Sequence, residues 1–305
     1  MKKYAISREF FPWNLFAPPI SEKFLAMSVP HMKPPKSLWR DKELDVTTHE
    51  IESYDGRNIT CFVLSPKKLS AKAPCLIYLH GGGFICGNAD YAKGFGITLA
   101  VRFGVKVFCP AYRLAPENPA PAALEDALTA YCYLLEKGYS SRHITLCGES
   151  AGGGLCYALA MKLREKNMPM PAGIIAISPW VDLTASGTSY IENEERDPSL
   201  SKERLQFYAS LYVEDKKDPY VSPIFGDFHG MPPSLIFVGG DEVMLSDAET
   251  LYQKLTEAGC SAKLQIKPGM WHAYILYGTK ESKSDFAMIL EFLKDFFPQT
   301  DKNTK

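Results

Sequence analysis

A serine, a histidine and an acid, far apart along the chain, are the residues whose types and settings suit catalysis. Ser150 stands in Gly148-Glu149-Ser150-Ala151-Gly152, behind the apolar run at 144–147 and ahead of a small-residue apolar stretch at 151–163. That order reads as strand, sharp turn and helix, the setting in which a G-x-S-x-G serine is exposed at a sheet edge. The pentapeptide alone is weak evidence, because glycine and serine are common; its flanks carry the reading. A serine hydroxyl attacks only when a base takes its proton. Six histidines are available. His80 belongs to a glycine run, His31 and His49 lie in the N-terminal segment and the first strand, His143 starts a strand, and His229 precedes one. His272 follows the last strand, just after the Pro268-Gly269 turn. Ligands of open α/β sheets bind beyond the carboxyl ends of the strands, so His272 is expected on the same edge as Ser150.

An imidazole used as a base needs a carboxylate to fix its tautomer and stabilise its charged form. Asp241, Glu242 and Asp247 all follow the apolar run at 234–238. Asp241 comes first after Gly239-Gly240 and is the expected partner; Asp247 is expected to cap the helix that begins there. Upstream, His80-Gly81-Gly82-Gly83-Phe84 directly follows another apolar run. Three glycines leave backbone N–H groups unshielded, and such groups can converge on a developing oxyanion. A phosphate cradle is the competing use, but the Gly-Lys-Ser/Thr ending is missing and no G-x-G-x-x-G follows a strand. The chemistry these groups suit is attack of a serine on a carbonyl.

The elements that must position these groups come from 305 residues, 46% hydrophobic and 23% charged, which excludes disorder and leaves ample material for one large core. A net charge of −1 with no basic stripe argues against nucleic-acid binding. None of the eight cysteines forms a C-x-x-C pair, and most sit in apolar runs, so they are expected to be reduced and buried. H-E-x-x-H is absent and no His/Cys cluster has ligand spacing, so no metal and no cofactor is expected. Ser7, Arg8 and Glu9 interrupt what would be a signal-peptide core after Lys2-Lys3, and no run reaches the ~18 apolar residues needed to span a membrane. A cytoplasmic protein without membrane contact is expected.

From residue 44 the pattern is regular. Two alternating strands flank Asp55-Gly56, a hairpin signal. The run at 74–79 reads as a strand buried on both faces, and further strands are expected at 105–110, 142–147, 173–178, 234–238 and 262–267. Helices are expected at 91–103, 120–137, 151–166, 247–258 and 283–297; the second opens with Pro119 and Pro121 and carries Glu125 and Asp126 early, as a helix N-terminus favours. The result is an α/β fold, a mostly parallel eight-stranded sheet with helices on both faces. Residues 1–43, aromatic and proline-rich, read as an N-terminal lid; 44–298 form the main domain, with a second lid portion inserted at about 185–218; 299–305 are a polar tail.

Taken together, HGGGF (80–84), YRLAPE (112–117), GESAGG (148–153), SPWVDLT (178–184), GGDEVMLSDA (239–248) and PGMWHAY (268–274) resemble the hormone-sensitive-lipase-like, or family IV, carboxylesterases. The resemblance implies the α/β-hydrolase fold, with Ser150 as nucleophile, His272 as base and Asp241 as its orienter, in the chain order of that fold. It also implies an oxyanion hole from the backbone N–H groups of Gly82, Gly83 and Ala151, and an N-terminal lid. Two details depart from the commonest pattern: Glu149 stands where many members have Asp or Thr, and the acid segment reads DEVMLSD rather than D-P-L-x-D. Tyr112, Arg113 and Glu117 are expected to brace the glycine loop, and Trp180 and Asp182 to fix a strand end and lid hinge. Phe84, Trp13, Phe16 and Tyr208 are candidates to line an acyl pocket. The expected substrate is a small ester with a short- to medium-chain acyl group; a homodimer through the final strand and helix is a further expectation. A binding protein on the same scaffold would dispense with His272, which is present. A peptidase of this fold usually carries a large extra domain, for which the lid leaves no room.

Overall fold

The structure is a computed structural model that describes residues 44–296 apart from 68, 70–72 and 88. The expected N-terminal lid and C-terminal tail lie outside the described residues. Eight strands form one sheet: β1 (Leu44–Glu52), β2 (Asn58–Pro66), β3 (Cys75–Leu79), β4 (Lys106–Pro110), β5 (Ile144–Glu149), β6 (Gly173–Ile177), β7 (Ser234–Gly239) and β8 (Ala262–Lys267). Their order is β1-β2-β4-β3-β5-β6-β7-β8. β1 and β2 are the expected hairpin, and β2 pairs antiparallel with β4; every later pairing is parallel.

Among the described residues seven helices accompany the sheet: α1 (Ala89–Phe103), α2 (Ala122–Glu136), α3 (Ala151–Glu165), α4 (Ser189–Glu192), α5 (Lys202–Tyr212), α6 (Leu245–Glu257) and α7 (Lys283–Lys294). Each central strand splits its side chains between two apolar layers. Ile77 and Leu79 of β3 pack with α2, α3 and α6, whereas Leu76 and Tyr78 pack with α1 and α7. All five residues of β3, β4 and β6 are buried, which is why these runs are continuously apolar rather than alternating. The six cysteines Cys61, Cys75, Cys86, Cys109, Cys147 and Cys156 are buried within these layers, and all eight are free thiols. No helix among the described residues is long and apolar enough to cross a membrane.

The chain runs from β3 outward to β4 and then returns past β3 to β5, so the strand order reverses between β3 and β5. A crevice opens at such a reversal, outside the carboxyl ends of the two strands. The glycine loop leaves β3 there, and Ser150 leaves β5. The segment between β6 and β7 holds α4 and α5 and no strand, as its charge-rich sequence suggests.

Close backbone approach makes the crevice narrow. A Cβ on Gly152, in the first turn of α3, would lie 2.0 Å from the Leu79 carbonyl oxygen and 2.5 Å from that of His80. Gly152→Ala is therefore expected to push α3 away from β3 and to cost about 1–3 kcal/mol, the usual range for overpacking. Urea unfolding should show a lower midpoint at unchanged slope.

Candidate active site

Ser150 is the single residue between β5 and α3, with φ 55° and ψ −124°. A non-glycine residue at positive φ is strained, and the surroundings hold it. Its N–H donates to the Ile177 carbonyl at 2.9 Å, and its carbonyl accepts from Trp180 N–H at 2.9 Å and Gly154 N–H at 3.1 Å. The turn is thus pinned to the residues on either side of Ser178, beyond β6.

Ser178 continues the network. Its hydroxyl donates to Glu242 Oε2 at 2.8 Å and accepts from the Ala273 N–H at 2.9 Å. Glu242 Oε2 lies 3.5 Å from His272 Nδ1. One hydroxyl therefore ties together the loops after β6, β7 and β8, and brings the imidazole against a carboxylate. That carboxylate belongs to Glu242 and not to Asp241. Asp241 turns the other way and pairs with Arg196, while its N–H donates to the Met270 carbonyl at 3.0 Å. The two acids are adjacent in the turn that leads from β7 into α6, and that turn points Glu242 at the histidine and Asp241 at Arg196. Glu242 is fully buried, and that burial pushes its carboxyl above the usual range; the contacts to His272 and Ser178 pull it back down.

Asp247 is not a helix cap. The residue before α6 is Met244, which makes no side-chain cap. Asp247 instead accepts from the Val181 and Asp182 N–H groups at 3.1 and 3.0 Å, fixing the segment that follows Ser178. The Asp182 carboxylate in turn accepts from the N–H and hydroxyl groups of Thr184 and Ser186, so the expected hinge position is a tight polar knot. Two residues of the inserted segment hold the acid loop from the other side. Asn193 donates to the Glu242 carbonyl at 2.9 Å, and Asp197 accepts from Val243 N–H at 3.0 Å. Nothing in the local sequence around Asn193 or Asp197 signals that role.

In the glycine loop, Gly82 has φ +111°, and a Cβ there would lie 2.2 Å from the Cys86 carbonyl oxygen. Only glycine serves at that position. The Gly82 carbonyl accepts from Cys86 N–H at 2.8 Å, which closes the loop into a turn. Among the described residues, no backbone bond of the turns and loops uses the N–H groups of Gly82, Gly83 or Ala151. Tyr112 braces the loop as expected: its hydroxyl donates to the His80 carbonyl at 2.5 Å, and its ring stacks on the His80 ring at 4.3 Å. Arg113 serves elsewhere, bonding Asp126 at 2.5 and 2.8 Å and Asp55 at 2.6 Å, so that Asp126 anchors the hairpin rather than the α2 terminus. Among the described residues Glu117 makes no side-chain bond.

Of the expected pocket residues, Phe84 is buried between Tyr212 (rings 4.0 Å apart) and Trp180 (6.2 Å) and packs the loop beneath α5. Tyr208 lies directly against Gly83. Trp13 and Phe16 lie outside the described residues. Among the described residues no group of three or more His, Cys, Asp or Glu side chains is placed to hold a metal ion.

Glu149 is another buried acid with one bare oxygen. It is buried beside Ser150; one carboxyl oxygen accepts from Gly81 N–H at 2.6 Å and Tyr91 hydroxyl at 3.3 Å, and the other has no partner. Burial pushes its carboxyl up to about 7. Between about 4.5 and about 7 the unfolded chain is ionised there and the folded chain keeps the proton, so stability falls as pH rises through that window. The full cost, roughly 3 kcal/mol, applies above it. Glu149→Gln keeps an acceptor for Gly81 without the charge. Its melting temperature is expected to gain on the parent at pH 8 and to show little gain at pH 4, as read by thermal unfolding across pH.

A family model described as the alpha/beta hydrolase fold matches residues 76–276. A curated acetyl-hydrolase of Streptomyces hygroscopicus is 39% identical over 204 residues, 66% of this chain and 68% of that protein. An esterase of Acinetobacter venetianus is 35% identical over 231 residues, 74% of this chain and 76% of that protein. Among solved structures, a hormone-sensitive lipase from a metagenome library superposes with a TM-score of 0.80 at 33% identity, covering 92% of this chain and 94% of its own. An esterase of the bacterial hormone-sensitive lipase family gives 0.79 at 34% identity, covering 85% and 86%. The motifs, the fold and these likenesses agree, and the chain belongs to the hormone-sensitive-lipase-like, family IV carboxylesterases of the α/β-hydrolase fold.

Proposed function

We propose that this carboxylesterase cleaves short- to medium-chain acyl esters with Ser150 as nucleophile, His272 as base and Glu242 as the acid that orients His272. The observation that carries this reading is the network running from the strained Ser150 turn through Ser178 to Glu242 and His272. Glu242 takes the orienting role expected of Asp241 because it is the buried acid that faces the imidazole. Asp241 is partly exposed and already paired with Arg196.

In the reaction, His272 accepts the Ser150 proton as the oxygen attacks the ester carbonyl. The negative charge moves to the carbonyl oxygen, where the N–H groups of Gly82, Gly83 and Ala151 stabilise it; Ala151 is the first residue of α3, so the helix terminus adds its positive end. His272 then returns the proton to the leaving alcohol, and water deacylates the serine by the same route. Glu242 keeps the imidazole in one tautomer and stabilises its protonated form. Among the described residues the amides of Gly82, Gly83 and Ala151 have no acceptor that must be displaced before the oxyanion forms. The segment at about 185–218, with residues 1–43, acts as the lid over this site. A cytoplasmic location and pairing of two copies along the free edge of β8 complete the proposal; subcellular fractionation and sedimentation test them.

Hydrolysis of p-nitrophenyl esters with acyl chains of two to twelve carbons should peak at short chains and should fall about a thousandfold or more in Ser150→Ala, with the fold intact by circular dichroism. Ser150→Ala retaining parental activity would end the reading. The choice between the acids is read separately. Glu242→Gln should lower kcat by about a thousandfold. Asp241→Asn should keep kcat within about threefold, because it alters only a partly exposed ion pair.

A further inference from the structure

Arg204 is unusual among the charged groups near the site. It lies in the first turn of α5 and is 3% exposed. Arginine is almost never buried to this extent without a paired anion. Among the described residues no carboxylate pairs with Arg204; its side chain donates only to the Tyr208 hydroxyl, at 3.3 Å. Arg113, by contrast, holds two carboxylates at 2.5–2.6 Å. A guanidinium carries five donors, and burying one against a neutral hydroxyl leaves most of its desolvation cost uncompensated.

Its place in the fold says what the missing anion belongs to. Residues 204, 208 and 212 share one face of α5, four residues apart. That face lies on the glycine loop. Tyr212 stacks on Phe84, and the Tyr208 ring stands so close to Gly83 that a Cβ there would meet it at 2.5 Å. Arg204, at the hydroxyl end of the same ring, is thus one tyrosine away from a proposed oxyanion donor. Its charge also acts on Cys86, which ends the loop; burial pushes that thiol up to about 12 and the guanidinium opposes the rise.

We propose that Arg204 is a specificity residue that binds a carboxylate carried by the ester substrate, so that the preferred substrates are anionic esters with a short carbon chain between the carboxylate and the scissile bond. This rests on the esterase reading above and deepens it. The planar guanidinium suits a carboxylate held bidentately. The substrate would complete an ion pair that is open among the described residues, and that gain is available only to esters that bear the charge.

The carboxylate can lie on the acyl or the alcohol side, and two matched pairs separate these. Monoethyl glutarate against ethyl pentanoate tests the acyl side; γ-acetoxybutanoate against butyl acetate tests the alcohol side. Acid release is followed in a pH-stat for the parent, Arg204→Met and Arg204→Lys. In one pair the parent should favour the charged ester by about tenfold or more in kcat/KM. Arg204→Met should abolish that preference, chiefly through KM, while neutral esters stay within about threefold; Arg204→Lys should keep part of it. The melting temperature of Arg204→Met should not fall, because an unpaired buried charge is removed and the volume is kept. A parent that prefers the neutral ester in both pairs would overturn the proposal whatever the variants do. So would an equal loss on all four esters in Arg204→Met with a lowered melting temperature, the mark of a structural arginine. Failure of the esterase reading itself shows differently, as neutral-ester hydrolysis that does not depend on Ser150.

Discussion

The first turn of α3 presses against the end of β3, and the site is built around that contact. A helix can come this near a strand end only where the intervening residue has no side chain, and Gly152 supplies the gap. The same closeness forces the chain to turn from β5 into α3 within one residue, so Ser150 takes a left-handed backbone conformation. Such a conformation persists only when its neighbours over-determine it. Three backbone hydrogen bonds to Ile177, Trp180 and Gly154 do so. The strain presents the serine hydroxyl beside the helix terminus, where negative charge is favoured.

Four buried acids of the fold sit in different electrostatic settings. Asp126 is neutralised by Arg113, and Asp247 is held by two backbone N–H groups. Glu242 meets Ser178 and His272, a partner whose own charge changes during the proposed reaction. Glu149, like Glu242 and Asp247, keeps one carboxyl oxygen without a partner. At Glu149 stability is given up next to Ser150, where the glycine loop gains an anchor through Gly81. Proteins commonly concentrate such cost at the place where it positions a reacting group.

The segment between β6 and β7 is more than a cover. Asn193, Arg196 and Asp197 reach back to the loop after β7 and hold its backbone and Asp241, which leaves Glu242 to face inward. α5 lies over the glycine loop through Tyr208 and Tyr212. Orientation of the acid and the packing over the glycine loop are therefore set by one segment, so a change in it acts on both.

The sheet was legible in the sequence because buried strands must be apolar on both faces and helices must carry a stripe. All eight strands were expected within one or two residues of where they lie, and the ends of the helices expected at 91–103, 120–137, 151–166, 247–258 and 283–297 within about three; the short α4 was not expected. The placement of Ser150, His272 and the glycine run just beyond strand ends was legible, because a turn of glycines or other small residues follows an apolar run at each. The partner of His272 was not. Asp241 and Glu242 are adjacent, of like charge and equally placed after β7, so order along the chain cannot separate them; which one faces inward depends on Arg196 and Asn193, some 45 residues away in sequence. The same holds for Asp247 and Asp126, whose positions suggest helix termini but whose carboxylates are taken by distant groups. Local pattern determines which elements form and which residue types can react. Partners across the molecule decide which of two like side chains meets the imidazole, and leave the buried arginine on α5 without an anion among the described residues.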